Sequence, residues 1–168
     1  YQSHINYPDF SAIETNNVTT MARMFQKAGI TGTNTLDLSS WDVSKVQDFS
    51  YMFDNDDGSI HYIIMDGWNT SSATNMSYMF NHNSPPAGYK LLNVSHFNVS
   101  NVTTMKYMFA EMPKVTLLDL RGWDTSKVTD MYGMFSYNTK TNLLTTILAD
   151  NKWSVASVAS SGGQNMFY

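Results

Sequence analysis

Hydrophobic and polar residues along the chain follow one frame that is written out several times. Its fullest copy is Leu118-Asp119-Leu120-Arg121-Gly122-Trp123-Asp124-Thr125-Ser126-Lys127-Val128-Thr129-Asp130-Met131-Tyr132-Gly133-Met134-Phe135, and the same order occupies residues 36 to 53, 63 to 80 and 92 to 109. A degenerate opening copy covers about 8 to 25, and a closing copy covers about 148 to 167 with an insertion of two residues. The position held by Ile13, Trp41, Trp68, Phe97, Trp123 and Trp153 recurs after 28, 27, 29, 26 and 30 residues, a period that stacked repeat proteins use. One frame running through the whole length predicts a single repeat domain over residues 1 to 168, with about six copies as its units.

Each copy has two halves. In Leu36-Asp37-Leu38-Ser39 apolar and polar residues alternate, which puts both leucines on one face of a strand. In Val46, Phe49, Met52 and Phe53 the apolar residues fall at i, i+3, i+6 and i+7, the stripe of an amphipathic helix of about ten residues. Ser44, Ser71, Ser100 and Ser126 stand just before that stripe as expected helix caps, and Gln47 completes a capping box with Ser44. The predicted fold is therefore α/β: a leucine-rich-repeat-like solenoid with a parallel sheet on its concave side and short helices on its convex side. Like positions then form columns, among them an inner Met/Phe ladder and an aromatic ladder of Trp41, Trp68, Phe97, Trp123 and Trp153.

Composition narrows the chemistry. Of the 168 residues only 14% are charged, against about a quarter in average proteins, and polarity comes from Ser, Thr and Asn. The formal charge is −4, with no run of Lys or Arg, so nucleic acid is not an expected partner. Cysteine is absent, which excludes disulfides and thiolate metal sites. No apolar span approaches the twenty residues of a membrane helix, so no membrane insertion is expected within this segment, which reads as a piece of something longer.

The phrase Leu-Asp-Leu-x-x-Trp-Asp-[Val/Thr]-Ser-Lys-Val followed by Met-x-x-Met-Phe, carried through nearly the whole chain, resembles the BspA-like leucine-rich repeat bacterial surface proteins of lactobacillus and mycoplasma type. The cysteine-containing loop common after Met-Phe in such proteins is missing here. The resemblance implies an exported module at the bacterial cell surface whose partner is a host or matrix glycan or glycoprotein. Its function would be adhesion to polysaccharide, mucin-type glycan or matrix protein; a stalk or spacer with no ligand of its own is the alternative.

No catalytic constellation, cofactor or metal site is expected from the residues. The histidines His4, His61, His82 and His96 lack ligand spacing. In the segment from Asp54 to Ser59 the acids are wrongly spaced for a calcium loop, and position twelve is Met65. Glu14, Asp42, Asn69, Asn98 and Asp124, which follow the tryptophan position, read as turn chemistry. Two sets remain as ligand-binding candidates. One is the outward side of the strands, with Asp37, Asn93 and Asp119 (beside Ile64) in one column and Ser39, Asp66, Ser95 and Arg121 in the next. The other is Tyr51, Tyr78 and Tyr107, which share a slot about 140° from the residue that opens the apolar stripe if each residue turns the helix by 100°. With 14 carboxylates and 4 histidines against 10 cations, attachment to anionic surfaces is expected to strengthen in acid.

Overall fold

The computed structural model describes residues 10–28, 35–54, 62–82, 91–112, 115–137, 144 and 146–167. The strands among them are two or three residues long: β1 (Thr35–Asp37), β2 (Tyr62–Ile64), β3 (Leu91–Leu92), β4 (Leu117–Asp119) and β5 (Thr146–Leu148). β1 pairs with β2, and β3, β4 and β5 form a second sheet in that order, all parallel. The register joins equivalent residues, Leu36 opposite Ile63 and Leu118 opposite Ile147. A second line of contact lies later in each copy, where parallel bridges link Thr20, Asp48, Asn75, Thr104 and Asp130 in succession. This line runs unbroken past the gap between β2 and β3, so it holds the copies in order where the strands do not pair.

No helix occurs among the described residues, which overturns the expected architecture: the chain is not an α/β leucine-rich-repeat solenoid with a concave sheet and convex helices. Spacing supplies the physical reason. Phe25, Phe53, Phe80, Phe109, Phe135 and Phe167 stack ring on ring, with successive centroids 5.7, 5.5, 5.8, 5.9 and 5.2 Å apart. Neighbouring copies are therefore separated by little more than one strand spacing, and helices about 10 Å across do not stack at that pitch.

The segments expected to be helical are runs of turns. Met52 donates its amide to Phe49 and Asp54 to Tyr51, and the same i to i+3 bonds recur at Met79, Asn81, Met108, Ala110, Met134 and Ser136. Turns of this kind also bring residues three apart to one side, which is why the apolar spacing imitates a helix. The intervening amides point to the next copy instead: Phe49 donates to the Asn75 carbonyl, Tyr51 to Ser77 and Phe53 to Met79. This alternation requires a left-handed residue in each turn run, supplied by Arg23, Tyr51, Tyr78, Tyr107, Gly133 and Asn165 at φ between 53° and 63°. A left-handed conformation costs a residue with a Cβ about 1–2 kcal/mol, and here the backbone bonds on both sides offset it.

Side chains lock the same register. The indole nitrogens of Trp41, Trp68 and Trp123 donate to carbonyls of the preceding copy at Phe10, Leu38 and Val94. Phe97 has no such donor, and the neighbouring His96 takes over: its Nε2 lies 2.9 Å from the equivalent carbonyl of Met65, while its ring stands edge-on to Phe97. A carbonyl only accepts, so this bond places a proton on Nε2. Thr70 and Thr125 each bond both the amide and the carbonyl of the next copy, at Asn98 and Ser154.

Corners are closed by side chains that accept the amide two residues on. Asp42, Asn69, Asn98 and Asp124 do this for Ser44, Ser71, Ser100 and Ser126, so these serines end Asx turns and do not cap helices. Asp48, Asn75 and Asp130 repeat the device for Ser50, Ser77 and Tyr132.

Two measurements test this packing. Phe80 is fully buried in the middle of the ring stack and Phe167 is 66% exposed at its end. Phe80→Ala is expected to lower the urea-unfolding free energy by about 3–5 kcal/mol and Phe167→Ala by about 1 kcal/mol or less; equal losses would refute the stack. Separately, His96→Ala is expected to cost about 1 kcal/mol, and the double change His96→Ala with Phe97→Trp to recover most of it, because the indole restores the donor.

Candidate functional site

The strand-side candidates are brought together but are spent on one another. Asp37 accepts both the amide and the hydroxyl of Ser39, at 3.0 and 2.7 Å. Asn93 bonds the Ser95 hydroxyl at 3.0 Å and reaches Asp66 of the preceding copy at 3.4 Å. Asp119 receives Arg121 through Nε and Nη2 at 2.9 and 2.6 Å. Since β2 and β3 do not pair, these residues do not line one continuous concave sheet.

These hydrogen bonds hold several carboxyls below the usual range. The Ser39 hydroxyl and amide do so for Asp37, Ser44 for Asp42, the Arg121 side chain for Asp119, and Ser126 for Asp124. The amides of Lys152 and Gly122 act likewise on Asp150. On the strand side Asp37, Asp119 and Asp150 thus keep their negative charge further into acid than a free carboxyl. Of the described cations, Arg23, Lys27, Lys45, Lys106 and Lys127 lie in the later, turn-rich half of their copies, whereas Arg121 and Lys152 lie in the earlier half.

The tyrosine row exists, though no helix presents it. Tyr51 and Tyr78 stack with centroids 4.4 Å apart and planes 7° apart, and Tyr78 and Tyr107 follow at 5.0 Å. The free face of Tyr51 is covered by the Arg23 guanidinium, 4.1 Å from the ring centroid. With their faces taken, these rings offer edges and hydroxyls, not platforms for a sugar. Burial, followed by the neighbouring Tyr51 and Tyr107, pushes the Tyr78 phenol up to about 12, and burial also raises Tyr107.

Among the remaining candidates, Asp54 accepts from the side-chain amides of Gln26 and Asn81, both at 2.7 Å, which occupies its carboxylate. Residues 55 to 59 of the inspected acidic segment lie outside the described residues, as do His4 and His61. His82 pairs with Glu111 on the next copy. Among the described residues there is no group of three or more His, Asp or Glu that could hold a metal, and no helix long and apolar enough to cross a membrane.

One place was not foreseen. A cavity of about 350 Å³ opens between the fourth, fifth and sixth copies, lined by Lys106, Asp130, Tyr132, Ser161, Gly162 and Gln164. It arises where two departures from the repeat meet. In the fifth copy the tyrosine moves back one position, to Tyr132, and Gly133 takes the left-handed site because the Tyr107 ring lies where a Cβ would stand, 2.4 Å away. In the sixth copy Ser160 and Ser161 are inserted as an exposed turn closed by the Gly162 amide on the Ala159 carbonyl, and Gly162 replaces the Asp, Asn or Thr of the bridging position. Both signals are visible in the residues, but only their meeting in space marks them.

The sign of the alkaline dependence follows from the raised phenol. The folded value of about 12 exceeds the ordinary 10.0, so the stabilisation by neutral Tyr78 is whole below pH 10 and is lost as pH rises from 10 to 12. Phenolate absorbance is expected to show a component titrating near pH 12 that disappears in Tyr78→Phe; ionisation of all tyrosines together near pH 10 would contradict the stacked row.

A family model described as "Mycoplasma protein of unknown function, DUF285" matches residues 2–86 and again residues 59–168. No curated protein and no solved structure matches the chain. Two overlapping matches cover nearly the whole length with one repeated frame, and the chain belongs to this DUF285 family of Mycoplasma proteins of unknown function.

Proposed function

We propose that the chain is a non-enzymatic adhesin module of a BspA-like bacterial surface protein, acting outside the cell on host or extracellular polysaccharide, mucin-type glycan or matrix protein. The observation that carries this reading is the columnar surface: one outward position holds Asn17, Lys45, Ser72, Asn101, Lys127 and Ser157 in successive copies, each from Lys45 onward bonded to the copy before it. A row of like groups suits a ligand that is itself repetitive, because each further unit binds at high effective concentration once the first is held. Lys45 and Lys127, bonded to Asn17 and Asn101 of their preceding copies, belong to such a row. The motif resemblance supplies the location and the class of partner.

A stalk or spacer is the second reading, favoured by the strand-side polar groups being paired with one another. Deletion of two whole central copies separates the two: a spacer keeps its function and an adhesin loses binding.

Binding on an array of glycans and matrix proteins is expected to exceed that of an unrelated repeat protein of similar charge, and an equal signal would sink the adhesin reading. Acid acts in a defined way. Asp37, Asp42, Asp119, Asp124 and Asp150 titrate below 3.8 in the folded chain, so their contribution to stability is present above that pH and is lost only as pH falls through the depressed values. The chain is therefore expected to stay folded at pH 4 by circular dichroism while its attachment to a sulfated polymer rises between pH 7 and pH 4; flat binding over that window would count against the acid dependence.

A further inference from the structure

We infer that the cavity between the fourth, fifth and sixth copies is a binding site for a carboxylate-bearing sugar residue, an inference that rests on the glycan-binding reading and names its site and ligand class. On the strand side polar groups pair with one another, whereas here they are left uncommitted. The Lys106 ammonium lies 5.3 Å from the centroid of the Tyr132 ring and 5.8 Å from that of Tyr107, held beside two aromatic faces. Neither of the ion pairs among the described residues involves it. The side-chain amide of Gln164 and the hydroxyl of Ser161 make no hydrogen bond among the described residues, and Asp130 uses only one carboxylate oxygen, on the Tyr132 amide.

The shape is built into the backbone. Gly162 passes so close to the fifth copy that a Cβ would stand 2.5 Å from the Thr129 carbonyl oxygen, and its lack of a side chain leaves the floor open. Tyr132 meets Tyr107 edge-on at 67°, unlike the parallel rings of Tyr51 and Tyr78, and Asn165 pins its hydroxyl at 3.0 Å. Its ring is thereby turned out of the stack and forms a wall. The volume, about 350 Å³, sits at the lower end of small-ligand sites, roughly 300–1,000 Å³.

Each group has a counterpart on an acidic sugar. The apolar face of a pyranose packs on the Tyr132 ring, its hydroxyls donate to the free Asp130 oxygen and exchange bonds with Ser161 and Gln164, and its carboxylate meets the Lys106 ammonium. A neutral sugar leaves that ammonium without its partner, and so the site discriminates by charge.

Nuclear magnetic resonance titration of the 15N-labelled chain tests the assignment, with a tetrasaccharide of alternating glucuronic acid and N-acetylglucosamine as probe and neutral cellotetraose as control. The acidic probe is expected to shift the amides of Tyr132, Ser161, Gly162 and Gln164. Lys106→Gln is expected to weaken its binding by on the order of tenfold and to flatten its salt dependence. Lys27→Gln, in the first copy and outside the cavity lining, leaves both unchanged. Equal affinity for cellotetraose, no binding of the acidic probe, or shifts confined to other copies with Lys106→Gln unaffected would each overturn the site. In the last case glycan binding stands and only its location falls, whereas silence across the whole glycan and matrix array removes the adhesin reading itself.

Discussion

The structure depends on one repeated contact, the face-to-face stacking of the phenylalanine that closes each copy on the phenylalanine of the next. Six rings in file, none more than 5.9 Å from its neighbour, set the pitch at which everything else must fit. At that pitch a backbone amide reaches the carbonyl of the adjacent copy directly, and the hydrogen-bonded ladder from Met21 to Phe135 follows. At that pitch, too, a helix has no room. The chain resolves the conflict by turning every few residues through a left-handed position, so that half of its amides close turns and half join copies.

Such a backbone makes heavy demands on side chains at its corners, and these demands account for the composition. Each corner needs a short acceptor that can reach an amide two residues ahead, which Asp, Asn, Ser and Thr supply and Lys or Glu do not. The scarcity of charge and the abundance of Asn, Ser and Thr are thus consequences of turn geometry. His96 shows how strictly the columns are kept: where Phe97 lacks an indole, the adjacent imidazole serves the same carbonyl.

Uncommitted polar groups gather where this economy is broken. A residue that follows the frame is occupied by the frame, as the strand-side pairs Asp37 with Ser39 and Asp119 with Arg121 illustrate. Tyr132 and the inserted Ser161 do not follow it, and both line the cavity that holds Lys106. The face-covered row of Tyr51, Tyr78 and Tyr107 contributes rigidity, while the turned-out Tyr132 keeps a ring available.

The sequence by itself determined the pairing of like with like and the burial of the central Trp, Met and Phe positions, though not of Met24 and Phe167 at the ends, because a frame recurring every 26 to 30 residues leaves few other ways to bury its apolar side chains. It did not determine whether Val46, Phe49, Met52 and Phe53 lie on a helix or on successive turns, since both conformations bring residues three apart to the same side. Only tertiary structure decided that, through a stacking distance that exists only between copies and is written in no single one of them. The same holds for the cavity: Lys106, Tyr132 and Gln164 lie far apart along the chain, and only the stack brings them together.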